Sequence, residues 1–194
     1  MRIIIVRHGE TEENKKRILM GHIPGILSTN GIKQAKEIAK VLKNEKIDVI
    51  YSSDLDRAVK TTEEIAKYHN VPVFHSKDLR EQNYGIFQGK PIDQLIEANN
   101  KSKQGTNFKP QGGESLEEVK SRLKLFINKV YQENKGNTIL ISAHAGIAWC
   151  IYSIYSGIPL EEVMKMQPKN TGILIIDAEE SKGTIIEDSM FTKK

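Results

Sequence analysis

Short apolar runs alternate along this chain with longer stretches in which apolar residues recur every three or four positions. The runs lie at 2–6, 48–51, 71–74, 138–141, 173–176 and 184–186. Between them, helical periodicity covers 29–42, 55–68, 91–98, 115–132 and 147–155, with a short helix after Pro159. Strands alternating with helices predict an α/β fold, a three-layer α/β/α sandwich around a mainly parallel six-stranded sheet. Thr29 and Asn30 offer capping oxygens to the first helix, and Gly157-Ile158-Pro159 stops the fifth. The last strand pair, 172–177 and 183–188, is separated only by Ala178-Glu179-Glu180-Ser181-Lys182, which predicts an edge strand or hairpin.

The alternation lapses between 78 and 114. One weak helix is followed by Asn99-Asn100-Lys101-Ser102-Lys103-Gln104-Gly105 and Pro110-Gln111-Gly112-Gly113, a polar stretch too long for an ordinary strand-to-helix loop. Long excursions from a compact sheet are usually lids or binding loops, so 82–114 is expected to shape substrate specificity. No repeat, low-complexity tract or linker divides the chain, and 1–194 reads as one domain.

In open α/β sheets, ligands bind outside the carboxyl ends of the strands, which makes the residues after each run the candidates for chemistry. The first run delivers Arg7-His8-Gly9-Glu10-Thr11. The second delivers Ser52-Ser53-Asp54-Leu55-Asp56-Arg57, with Arg57 in the first turn of the next helix. Glu81 comes six residues after His75, and the fourth run ends in Ser142-Ala143-His144-Ala145-Gly146. Two arginines, two histidines and a carboxylate at one rim suit a tetrahedral dianion, because the guanidinium fork matches phosphate oxygens. Helix N-termini and the backbone at Gly9 and Ala145 are expected to add amide donors without a Walker-type loop. A neutral imidazole can attack phosphorus, while a carboxylic acid protonates the leaving oxygen and then deprotonates water. The expected chemistry is phosphoryl transfer through a phosphohistidine.

Composition narrows the partners. At 194 residues, with 38% apolar and 28% charged, the chain can bury the core of one ordinary domain. Its single cysteine, Cys150, excludes a disulfide-stapled scaffold. The longest apolar run, 139–148, is broken by Ser142 and His144 and is too short to span a bilayer, and the opening MRIIIVRHGE reads as a strand rather than a leader. These features predict a cytoplasmic protein with no membrane partner. A net charge of +4 raises the question of nucleic acid. The surplus is lysine, though, and Lys33, Lys36, Lys40 and Lys43 sit at helical spacing as a solvated face. Without clustered cations or interleaved aromatics, a nucleic-acid partner is not expected. His8, His22, His69, His75 and His144 form no i,i+4 pair and no HExxH, and no Asp-rich cluster offers a magnesium seat. A metal-independent reaction with no cofactor is expected.

Several blocks recur in a telling order. They are Arg7-His8-Gly9-Glu10-Thr11 with Asn14, Arg17-Ile18-Leu19-Met20-Gly21, Leu27-Ser28-Thr29-Asn30-Gly31, Tyr51-Ser52-Ser53-Asp54-Leu55-Asp56-Arg57, Leu79-Arg80-Glu81 with Tyr84-Gly85, Gly112-Gly113-Glu114-Ser115, and His144-Ala145-Gly146. Together they resemble the histidine phosphatase superfamily, its phosphoglycerate-mutase-like branch, over nearly the whole chain. The resemblance implies that His8 is the nucleophile that becomes phosphorylated. Arg7, Arg57 and His144 would surround the phosphoryl group, Asn14, Gly21 and Ala145 would line the phosphate-binding region, and Glu81 would be proton donor and then base. Asp78 and Glu114 lie in neighbouring loops and compete with Glu81 for that role.

Other residues have blander readings. His22, His69 and His75 read as surface or helix-end residues, His22 bordering the pocket at most, and Trp149 and Cys150 read as core. Glu161-Glu162 decorates a helix start. Lys101, Lys103 and Lys109 are either a solvated loop or a meeting point for a second substrate anion.

A phosphoglycerate mutase is the alternative enzyme. That branch carries an arginine pair for the second anion, whereas here no arginine occurs between Arg80 and Arg122 and Glu81 is followed by Gln82-Asn83-Tyr84 instead of Arg-His-Tyr. A non-catalytic phosphoester-binding module is the alternative of another class, but it has no need of an acid beside a nucleophilic imidazole. The preferred reading is a phosphomonoesterase for a small phosphorylated metabolite. In size and in its 79–89 block the chain resembles broad-specificity and α-ribazole-phosphate phosphatases, with sugar bisphosphates a further substrate class. The edge hairpin or another exposed sheet edge offers a surface for a homodimer.

Overall fold

The computed structural model describes residues 1–179 and 182–192. Glu180 and Ser181 of the expected hairpin turn, and the last two residues of the expected domain, lie outside the described residues. The first half of the chain forms β1 (Arg2–Arg7), α1 (Glu12–Lys15), α2 (Thr29–Leu42), β2 (Val49–Ser53), α3 (Asp56–Ala66), β3 (Val73–Ser76) and α4 (Ile92–Ser102). The second half forms α5 (Leu116–Glu133), β4 (Thr138–Ala143), α6 (Ala145–Ser156), α7 (Leu160–Val163), β5 (Gln167–Pro168), β6 (Ile173–Ala178), β7 (Gly183–Asp188) and β8 (Phe191–Thr192).

All six expected strands join one sheet in the order β3-β2-β4-β1-β6-β7. The first four are mutually parallel, and β6 is antiparallel to both its neighbours. Helices cover both faces. Ile3 and Ile5 of β1 pack with Leu123, Ile127, Ile147 and Ile151 of α5 and α6. Ile4 and Val6 point the other way, to Ile38 and Leu42 of α2 and Ile65 of α3. A strand covered on both sides must be apolar at every position, which is why these strands read as unbroken runs. On α2 the buried Ala35, Ile38, Ala39 and Leu42 follow the i, i+3, i+4, i+7 spacing of one helix face.

Two local expectations need correcting. The cap of α2 is Ser28, whose Oγ accepts from the Gly31 amide at 3.0 Å, because Thr29 is already in the first turn. Helix α4 continues four residues past the expected end at 98, through the stretch read as loop. Its apolar positions Ile92, Leu95, Ile96 and Ala98 stop at 98, so no periodicity marks the last turn; the helix ends where Lys103 turns left-handed at φ 56°. Two features with no periodicity to announce them also appear. Helix α1 is a single turn fixed by a Thr11–Asn14 capping box, and β5 pairs with β8 as a separate two-stranded sheet.

The centre of the sheet positions the site. β1 and β4 are adjacent and parallel with Arg7 opposite Ala143, so whatever follows each strand emerges side by side.

Candidate active site

His8 follows β1 directly, and its amide donates to Ala143 O at 3.0 Å. His144 follows β4, and the two buried imidazoles lie with centroids 5.2 Å apart, tilted by 59°. His8 Nδ1 is 2.7 Å from Gly9 O. A carbonyl only accepts, so Nδ1 carries the proton and the lone pair on Nε2 is free. Burial, reinforced by the Arg57 and Arg7 cations, holds the His8 pKa well below its ordinary 6.5. His144 is lowered in the same way, by burial first and then by Arg57, His8 and Arg7. Its Nε2 shares a 2.8 Å hydrogen bond with Ser53 Oγ at the end of β2.

Arg57 enters from the first turn of α3 and is fully buried. It donates from Nη2 to Gly21 O at 2.8 Å and from Nη1 to Ile23 O at 3.0 Å, which fixes the plane of its fork. Burial pushes its pKa down to about 10, and it stays cationic at neutral pH. Arg7 donates from Nη1 to Pro168 O. Arg7 Nε, Arg57 Nε and His144 Nδ1 are buried polar atoms with no partner within the protein.

Glu81 is buried opposite them. Its two oxygens each accept from the Gly146 amide at 3.2 Å, and Oε1 also accepts from Gln82 N at 2.8 Å. A Cβ at position 146 would overlap Oε1, so glycine is required for the carboxylate to reach the start of α6. Arg122 of α5 clasps the loop that carries Glu81. It donates to Asp78 O, to Arg80 O at 2.7 Å, and to Glu114 through Nε at 3.2 Å and Nη2 at 3.1 Å. Glu114 in turn accepts from Asn83 N, and Gln82 Nε2 donates to Glu114 O at 2.7 Å. His22 Nε2 donates to Glu81 O at 2.9 Å. Of the three competing carboxylates, Glu81 lines the cleft while Glu114 is paired with Arg122 and Asp78 lies outside it.

The cleft has a volume of about 330 Å³. A larger hollow of about 500 Å³ lies between β3 and α5; Asp78 and Arg122 border it, but neither histidine, Arg7, Arg57 nor Glu81 does. Arg7, His8, Arg57 and Glu81 line the cleft together with Asn14, Gly21 and Ala145, while His144 stands behind it against His8. Asn14 Oδ1 accepts from Thr11 N within the α1 capping box.

Several expectations change at this level. The Gly9 amide is not open to a ligand, because it donates to Thr61 Oγ1 at 3.1 Å. Lys101 and Lys109 pair with Glu97 and Glu118, and none of Lys101, Lys103 and Lys109 lines the cleft. Trp149 is half-buried and packs against the core as expected, and it also donates from Nε1 to Met166 O at 2.9 Å and forms part of the cleft wall. Cys150 is buried as expected.

Asn170, missed in the sequence, donates to His8 O at 2.9 Å and lines the cleft with Gln167 and Pro168. Because β6 is antiparallel to β1, the residues before it, and not those after it, share the rim with His8. Among the described residues, no group of three or more His, Cys, Asp or Glu is arranged to hold a metal, and no helix is long and apolar enough to cross a membrane.

Comparison with known proteins agrees with this geometry. A putative phosphoserine phosphatase 2 of Hydrogenobacter thermophilus is 31% identical, covering 95% of this chain and 93% of its own. A probable phosphoglycerate mutase GpmB of Shigella boydii is 30% identical over 93% of this chain and 86% of its own. The solved α-ribazole phosphatase of Shigella flexneri shares the fold with a TM-score of 0.86 at 25% identity, over 97% and 96% of the two chains. The profile of the histidine phosphatase superfamily (branch 1) matches residues 3–188. The chain belongs to that superfamily and is an enzyme of the phosphatase kind.

Proposed function

We propose that the protein hydrolyses a small phosphomonoester through a covalent phosphohistidine on His8, without a metal ion. The observation that carries this reading is the His8 Nδ1 hydrogen bond to Gly9 O, which leaves Nε2 unprotonated toward the cleft. Nε2 forms a bond to phosphorus as the bond to the leaving oxygen breaks, and that oxygen takes its proton from Glu81. Water then attacks phosphorus and gives a proton to the Glu81 carboxylate, the N–P bond breaks, and neutral His8 and inorganic phosphate remain. Arg7, Arg57 and His144 hold the charge on the equatorial oxygens, with Asn14, Gly21 and Ala145 lining that region. The 82–114 excursion forms the wall that selects the organic part of the ester. A single buried cysteine and the lack of a spanning helix among the described residues support the cytoplasmic placement.

The test is turnover of p-nitrophenyl phosphate, with inhibition by vanadate and indifference to chelators. A parallel assay follows 3-phosphoglycerate. Conversion to 2-phosphoglycerate without release of phosphate would replace hydrolysis with mutase chemistry, and phosphate binding without any turnover would leave a binding module.

A further inference from the structure

Four charged side chains and the neutral His8 line the cleft, and Arg7, His8, Arg57 and Glu81 converge on the phosphoryl position. The fifth, Arg17, is exposed and belongs to no part of that machinery. Its backbone is left-handed at φ 56°, a conformation that costs any residue with a Cβ. Arg17 N donates to Asn14 O at 3.1 Å and Arg17 O accepts from Ile92 N at 2.9 Å, so the turn is held from both sides. Glycine would make this turn without strain. What arginine adds is a guanidinium beside the cleft.

That guanidinium pairs with Asp93 Oδ1 at 2.9 Å, with side chains 66% and 73% exposed. An ion pair so exposed is weak. A carboxylate or phosphate on a substrate already held at His8 competes for Arg17 at high effective concentration, and the fork accepts either anion in bidentate fashion. We propose that Arg17 determines specificity by binding a second anionic group, so that the preferred esters carry a carboxylate or a second phosphate, and that Asp93 occupies Arg17 until such a group arrives. The proposal rests on the hydrolase reading above.

The test compares matched esters: 3-phosphoglycerate against glycerol 3-phosphate, and fructose 1,6-bisphosphate against fructose 6-phosphate. In Arg17→Ala the ratio of kcat/KM for the anionic over the neutral member falls about tenfold in at least one pair, the loss of one charge-assisted contact. Arg17→Lys retains part of the ratio. Asp93→Asn raises it about two- to fivefold, the strength of a surface ion pair. Arg17→Gly loses the ratio while its Tm holds or rises, a combination that a structural role for the side chain does not produce. Equal losses on both members of each pair, or unchanged ratios in both, would overturn the role of Arg17 while leaving the hydrolase intact. Failure of the unaltered enzyme to hydrolyse any of the four esters would instead overturn the hydrolase reading and this proposal with it.

Discussion

The phosphoryl clamp and the 82–114 excursion are built on opposite principles. Each clamp group is fixed by a hydrogen bond within the protein: Arg57 to Gly21 O and Ile23 O, Arg7 to Pro168 O, His8 to Gly9 O and His144 to Ser53 Oγ. The strands that deliver the two histidines carry fully buried Val6 next to the end of β1 and Ala143 at the end of β4. In the excursion, α4 buries no residue, and Lys101 pairs only with Glu97 one turn away. The excursion is tied to the rest of the fold at separate points, among them Lys90 O to Leu19 N, Ile92 N to Arg17 O, Thr106 Oγ1 to Glu117 and Glu114 to Arg122. On the proposed mechanism, rigidity is concentrated where geometry must hold for reaction, and the loosely packed excursion is where the choice of ester would vary.

The contrast predicts a steep gradient of mutational effect. His8→Ala should leave no turnover above background, and Arg57→Ala should lower kcat/KM for p-nitrophenyl phosphate by about 10²–10³, as for loss of a preorganised charge donor. Arg57→Lys should restore little, because an ammonium cannot bridge Gly21 O and Ile23 O in one plane. A loss smaller than tenfold would show that the clamp is not rigidly coupled to the chemistry.

Arg122→Ala comes next. It leaves Glu114 unpaired and frees the loop carrying Glu81, and it should cost about 2–3 kcal/mol in urea unfolding. Its kcat should fall more for alkyl phosphates than for p-nitrophenyl phosphate, since only the poorer leaving group depends on a well-placed acid. Equal losses for the two esters would assign Arg122 to stability alone.

Protonation gives a third test. His8 and His144 stay neutral in the fold, whereas the unfolded chain takes up protons below the ordinary histidine value of 6.5. The unfolded state then binds more protons, so stability rises with pH across this window and is lost on acidification from about pH 7 to 5. The slope should reach up to about 1.4 kcal/mol per pH unit for each histidine. A flat profile would mean that the pair is protonated in the folded enzyme.

At the lower end of the gradient, Lys101→Ala should change stability by less than about 0.5 kcal/mol and leave kcat within about twofold.

The same contrast explains what could be read from sequence. Residues that follow a parallel strand, such as His8 and His144, are legible because chain direction alone brings them to one rim. Asn170 was not, because its place depends on β6 running antiparallel, and an apolar run does not reveal its direction. Arg122 sits within a regular helix and acts on carbonyls more than 40 positions away, at Asp78 and Arg80, a relation that only the packed fold creates. The Gly9 amide was misjudged because Thr61, its acceptor, lies on a helix whose docking no local pattern encodes. The core packing of Trp149 was legible from the apolar run of α6; its second place on the cleft wall was not, because it follows from how α6 sits against the loop after α7.

The central claim is that His8 Nε2 forms a covalent bond to phosphorus. Rapid quenching of the enzyme during turnover, followed by alkaline digestion and mass spectrometry, tests it directly. An acid-labile, base-stable phosphoryl group on His8, attached at Nε2 and absent in His8→Ala, is the predicted result. Steady turnover with no phosphoenzyme, or with the label on another residue, would contradict it.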